Sequence, residues 1–253
     1  RSTDPLFRPV DITTAPDGTL YVTDMYHGII QEGEWAQKGT YLRSKIEQYQ
    51  LDKVVGLGRV WRISHKDYQR DRNQPRMLDQ KPVELLQYLG HPNGWWRDKA
   101  QQLIVLSGDR SLAGKLVSMA RKHADLRARI HALWCLEGLG VLSEKLLKEL
   151  ATDPEARIRI QAMRAGETRY KAGESGLGPL YLDALDAVEA EVVIQAMLSM
   201  HHLAFPNLPE RLQGLLDRRT EQGIQLVGAQ ILEKTSQEKG DPLTAGLDEA
   251  GRA

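Results

Sequence analysis

The sequence predicts a mixed fold: one antiparallel β-propeller blade followed by an α-solenoid of HEAT-like helix pairs. Three observations predict it. Positions 8–64 show a strand pattern punctuated by turn residues. From about position 80 the apolar periodicity becomes helical. Through that second part an R-x-x-A core, or a close variant, recurs with its alanine at Ala100, Ala132, Ala162 and Ala196, spacings of 32, 30 and 34.

In chain order, Val10-Asp11-Ile12-Thr13 reads as a short strand. Pro16-Asp17-Gly18 is a turn in which glycine supplies the positive φ. Leu20–Asp24 is a second strand, Gly28–Gln31 a third, and Arg59–Ile63 a fourth. The last places Arg59, Trp61 and Ile63 on one face and Val60 and Arg62 on the other. Between the third and fourth lies TYLRSKIEQYQLDK, 40–53, whose Leu42, Ile46 and Tyr49 have helical spacing. Four antiparallel strands with one helical insert make about one blade. A lone blade leaves both faces and both edges without partners. The expectation is therefore a piece of a longer protein, with further blades upstream of Arg1.

In the helical part each R-x-x-A segment follows a shorter amphipathic helix, at 83–89, 112–120, 143–150 and 179–185. A fifth pair is expected at 208–216 and 222–235, with Ala229 as its small anchor. Small residues let paired helices approach closely, and each pair buries a face on the next. The domain reading is a blade over 1–66, a linker over 67–79, the repeat domain over 80–237 and a C-terminal linker over 238–253.

Lys plus Arg and Asp plus Glu are each 34, so the net charge is zero. That balance argues against a generic nucleic-acid binder, which carries a basic excess. No apolar run reaches bilayer length. The single cysteine, Cys135, excludes an internal disulfide and a C-x-x-C-H haem attachment.

The conspicuous chemistry lies at the strand ends: Arg8, Asp11, Asp24, Tyr26 and His27. A histidine beside a carboxylate can remove a hydroxyl proton during alcohol oxidation. The plainer reading is that Asp24 caps a turn, Arg8 pairs with Asp11 or Asp24, and Tyr26 packs at the blade rim. Gly56-Leu57-Gly58 precedes a strand rather than a helix, so it is a turn and not a nucleotide fingerprint. His91-Pro92-Asn93-Gly94-Trp95-Trp96 reads as a capped helix start with both tryptophans packed against the blade, or as a partner or sugar site. His131 and Cys135 stand four apart on one helix face, with nothing nearby to complete a tetrahedral metal set. His201 and His202 diverge on their helix and do not chelate together.

The ordered series FRPVDITTAPDGTLYVTDMYHGIIQ, TYLRSKI, LDKVVGLGRVWRI, HPNGWWRDKAQQLI and HALWCLEGLG resembles a bacterial membrane-bound dehydrogenase family. In that family a propeller similar to soluble sugar and sorbosone dehydrogenases precedes HEAT repeats, often with a c-type cytochrome domain after them. The resemblance spans roughly residues 7–240. It departs from the family pattern at His27, where that pattern carries arginine. It implies a last propeller blade, a repeat domain and an extracytoplasmic parent that uses pyrroloquinoline quinone and haem c held outside this chain. His27, Asp24, Tyr26 and Arg8 would then line one wall of the parent's channel. A non-catalytic HEAT scaffold is the alternative.

Overall fold

The structure, a computed structural model, describes residues 2–4, 6–29, 33 and 36–240. Among these the chain is mostly helical, with one small three-stranded antiparallel sheet near its start. It divides into two compact units, Arg1–Gln80 with His91–Lys99, and Lys81–Gly90 with Ala100–Ala253.

In the first unit β1 (Pro9–Thr14), β2 (Leu20–Asp24) and β3 (Arg59–Ile63) lie in the order β1-β2-β3. Ile12 pairs with Val22 and Val22 with Trp61; Thr14 pairs with Leu20 and Leu20 with Ile63. One face is therefore apolar. Val22 at its centre is buried, while Ile12, Trp61 and Ile63 around it are 62%, 42% and 52% exposed. A bulge between Pro9 and Asp11 ends the regular part of β1.

The hairpin turn follows from its residues. Ala15 N–H donates to Thr19 O at 2.9 Å, and Gly18 N–H to Ala15 O at 3.0 Å. Gly18 has φ +79°, and a Cβ there would sit 1.9 Å from Tyr68 Oη. Both the backbone and the space demand glycine. Asp17 Oδ1 accepts from the Thr19 hydroxyl (2.6 Å) and N–H (3.1 Å). The chain after β3 folds back onto this turn: Tyr68 Oη donates to Asp17 O at 2.6 Å. Arg70 Nε lies 2.8 Å from Asp17 Oδ2, an ion pair out of line for a hydrogen bond.

Among the described residues the four-stranded expectation is corrected to three. β3 pairs directly with β2, and Gly28 and Ile29 form no strand; Ile30 and Gln31 lie outside the described residues. The reason is local. Gly28 N–H donates to Val54 O (3.1 Å), and a Cβ on Gly28 would lie 2.0 Å from Leu51 O. The segment is thus committed to the loop after α1 (Tyr41–Tyr49) rather than to a ladder. Thr40 caps α1 by accepting from Arg43 N–H at 3.2 Å. The helix stops at Gln50, whose φ is +52°, so Leu51–Lys53 turns as a separate 3₁₀ segment. Of the three expected apolar positions only Ile46 is buried; Leu42 and Tyr49 are exposed.

The helices that follow are α2 (Pro82–Leu85), α3 (Gly94–Ser107), α4 (Ala113–Lys122), α5 (Leu126–Gly138), α6 (Glu144–Leu150), α7 (Ala156–Lys171), α8 (Gly178–Ala184), α9 (Ala190–His202), α10 (Leu208–Arg218) and α11 (Gln222–Gly240). In the second unit α5 packs on α4, α7 on α6, α9 on α8 and α11 on α10. The longer helix of each pair also packs on the next, α5 on α7, α7 on α9 and α9 on α11. Asp125 and Ser143 cap their helices by accepting from Arg127 N–H (2.8 Å) and Leu146 N–H (3.2 Å). Ala100, Ala132, Ala162 and Ala196 are each wholly buried. The fifth anchor is corrected: Ala229 is exposed and Gly228 is buried. A Cβ on Gly228 would lie 2.7 Å from Leu216 Cδ2, so the α10–α11 contact leaves no room for one.

A second register runs through the same helices. α3, α5 and α7 are followed by Gly108, Gly140 and Gly173 in the left-handed region, and α9 by Ala204 at φ +48°. Beyond each of the last three, an N–H reaches back five residues: Val141 to Leu136 O (3.0 Å), Glu174 to Arg169 O (3.2 Å) and Phe205 to Met200 O (2.9 Å). This is the Schellman closure, which satisfies the last carbonyls of a helix. Among the described residues no helix is long and apolar enough to cross a membrane.

Candidate functional site

The strand-end cluster is built around Asp24. It is the last residue of β2 and only 1% exposed. Its Oδ1 accepts the Arg8 N–H at 2.8 Å and the Tyr26 N–H at 2.9 Å, and its Oδ2 accepts the Trp61 indole N–H at 2.9 Å. Burial opposes the charge. The Trp61 hydrogen bond, the two backbone N–H donors and the nearby Arg59 cation outweigh it, and the carboxyl sits below its ordinary value. Asp24 is thus an anion with a donor on each oxygen, which pins the exit of β2.

That exit is strained. Tyr26 has φ +40°, an uncommon conformation for a bulky residue. The bond from its N–H to Asp24 holds it there. The Arg59 guanidinium lies 3.5 Å from the Tyr26 ring centroid and 5.3 Å from that of Trp61. His27 is half-buried, and its Nδ1 is buried without a hydrogen-bond partner among the described residues.

The structure therefore brings the Arg8 main chain, Asp24 and Tyr26 together. His27 is adjacent in sequence but is not one of the groups bonded to Asp24. Asp11 pairs with Thr23, so it faces the other side of the sheet. The Arg8 side chain donates from Nη1 to Phe7 O at 3.3 Å. Sequence reasoning did not assign Arg59 and Trp61 to this cluster. The available signal was their shared strand face; what brings them to Asp24 is the β2–β3 register.

The tryptophan-rich segment also serves the first unit. Asn93 Oδ1 accepts the Trp95 N–H at 3.0 Å, while its Nδ2 donates to Ala15 O (2.8 Å) and Pro16 O (3.2 Å). Trp96 Nε1 donates to Pro16 O at 2.9 Å. One asparagine thus caps α3 and grips the hairpin turn. Arg97 Nη1 donates to His91 O (2.5 Å) and Pro92 O (2.9 Å). Arg159 repeats the motif on Asp153 O (2.7 Å) and Pro154 O (3.1 Å).

In the second unit His131 Nδ1 is 2.6 Å from Gln101 Oε1, and burial pushes the Cys135 thiol up to about 12. Among the described residues no three His, Cys, Asp or Glu side chains gather to hold a metal. A cleft of about 470 Å³ opens between Lys148, Arg159, Met163, Leu180, Asp183 and Val192. Its arginine is already bonded to the two carbonyls above and to Glu189 at 2.5 Å.

A family model described as a domain of unknown function, DUF7133, matches residues 1–67. The match takes in the sheet, α1 and the Asp24 cluster, and ends before the helical part. No curated protein matches the chain.

Proposed function

We propose that this chain is the C-terminal part of an exported sugar or alcohol dehydrogenase. On this reading the three-stranded sheet belongs to one propeller blade, and the helix pairs form an α-solenoid that acts as a scaffold. The ordered motif series supplies the reaction class. The observation that carries the placement in a larger β assembly is the apolar sheet face, with Ile12, Trp61 and Ile63 exposed around a buried Val22. Such a face is stable when a second layer covers it. The serial packing of α5, α7, α9 and α11 supports the solenoid.

In the parent, His27 is the candidate base, because its Nδ1 is a buried atom of the cluster with no hydrogen-bond partner among the described residues. Asp24 fixes the Tyr26 main chain that precedes it in sequence, and Arg59 adds a cation beside the cluster. The residues present do not fit either implied cofactor. A c-type haem needs two thiols, and Cys135 is single and buried. A quinone with several carboxylates, and the calcium ion tested with it below, need converging cations and metal ligands; Arg59 is stacked on Tyr26, and no metal-holding cluster occurs among the described residues. Both groups belong to other parts of the extracytoplasmic parent on this reading.

A non-catalytic scaffold is the second reading, favoured by the saturation of Asp24. Dye-linked dehydrogenase assays on the full-length parent separate the two. His27→Ala lowers turnover with unchanged melting if the strand ends line an active site. Wild-type turnover in that variant removes His27 from catalysis, and no turnover in the unaltered parent favours the scaffold.

A further inference from the structure

β3 is an edge of the sheet, and no described residue pairs with its outer side. Which backbone groups point outward follows from the hairpin. Ala15 and Thr19 are a hydrogen-bonded pair, and such pairs alternate along an antiparallel ladder. Thr13 with Tyr21 and Asp11 with Thr23 are then the bonded pairs of β1 and β2. Met25 N–H donating to Arg8 O at 3.0 Å keeps the alternation past the bulge. Leu20, Val22 and Asp24 therefore turn their backbone groups toward β3, where they meet Ile63, Trp61 and Arg59. Val60 and Arg62 are left with N–H and C=O directed away from the sheet.

Natural edges are blunted by short length, by charged side chains, lysine above all, by proline or by a bulge. β1 has Pro9 and a bulge; β3, RVWRI, has neither proline, lysine nor bulge. The Arg59 charge, moreover, is drawn in over the Tyr26 ring, which leaves the exposed Arg62 as the charge that guards this edge. We propose that β3 pairs antiparallel with β3 of a second copy of this chain, about a two-fold axis at Trp61. In that register Val60 exchanges backbone bonds with Arg62 of the second copy, and symmetry repeats the exchange. Trp61 meets Trp61 at a non-bonded position, where side chains come closest and aromatic rings pack edge to face. Each Arg59 faces an Ile63, so no like charges oppose. A slip of two residues keeps one bonded pair, and one of the two slips sets Arg62 against Arg62. The pairing also joins two apolar faces, each with Ile12, Val22, Trp61 and Ile63, into one. The contact is short and buries less than the roughly 1,200 Å² at the lower end of standard interfaces. The dimer is therefore reversible and forms with concentration.

Sedimentation of the purified chain over a concentration series is expected to show a monomer–dimer equilibrium. A two-fold contact closes on itself, so a species that grows without limit overturns the proposal, as does a monomer throughout. Val60→Pro removes an outward N–H and none of the bonds to β2; it is expected to stay monomeric with unchanged melting, and wild-type association in that variant overturns the proposal. The register has its own test, which stands even if Val60→Pro fails to fold. Arg59→Cys and Ile63→Cys chains, mixed and mildly oxidised, are expected to form a disulfide-linked dimer that neither forms alone. Equal cross-linking in the separate samples, or none in the mixture, overturns the register.

Discussion

Asp24 ends β2 with its carboxylate enclosed, and each oxygen has a donor. Removing one donor leaves a buried acceptor unmet, at a cost of about 1–3 kcal/mol. Trp61→Phe keeps most of the ring and removes only the indole N–H. It is expected to lower stability by about that amount in urea unfolding, and an unchanged midpoint would show the bond to be idle. The pH dependence follows from the sign of the shift. The folded Asp24 carboxyl lies below its ordinary 3.8, and so does Asp17, through its Thr19 hydrogen bonds and the Arg70 cation, against the opposing effect of burial. A depressed carboxyl contributes stability that is complete well above the unfolded value and is lost as pH falls through the folded one. Acid titration of the sheet, followed by Trp61 fluorescence, should thus show little change down to about pH 4 and loosening below it. Asp24→Asn should flatten that acid limb while starting from a less stable protein.

Among the elements, the helix ends and the helix contacts each obey a register. Gly108, Gly140 and Gly173 occupy a left-handed position that Ala204 also occupies. An L-residue there is strained by roughly 1–2 kcal/mol, partly offset because glycine is freer in the unfolded chain. Ala204→Gly is expected to stabilise the second unit by about 0.5–1 kcal/mol, seen as a higher melting temperature; a decrease would deny that the backbone at 204 is strained. At the contacts, Ala162 is wholly buried and Gly228 abuts Leu216, whereas Ala229 faces outward. Ala162→Leu and Gly228→Leu should each cost about 1–3 kcal/mol or more by overpacking. Ala229→Leu should be nearly neutral. Equal effects at 228 and 229 would erase the corrected register.

For the whole molecule, activity requires groups from several elements converging at about 3 Å on the reacting atoms. The described residues supply one candidate base, one saturated carboxylate and a stacked arginine around Tyr26. This chain by itself is therefore expected to oxidise no sugar or alcohol at a measurable rate, with or without added pyrroloquinoline quinone and calcium. Dye reduction above the buffer rate by the purified chain would overturn that expectation and the reading that the active site needs further parts of the parent.

Part of this fold is settled between neighbouring residues. The Asp17-Gly18 turn, the strands at 10–13, 20–24 and 59–63, the helix pairs and four buried alanines all follow from side-chain period, φ preference and size. The glycine register at 108, 140 and 173 came from the structure, although a left-handed helix end is a local requirement that glycine meets. Tertiary structure alone decided the rest. Asp24 meets Trp61 across 37 positions of chain, and β2 chooses β3 over the nearer Gly28 segment because that segment is already bonded to Val54 and pressed on Leu51. Gly228 replaces Ala229 because only the α10–α11 approach shows which of two adjacent small residues faces Leu216. Strand pairing and helix rotation depend on which surfaces exclude water together, and that is a property of distant parts of the chain meeting in space.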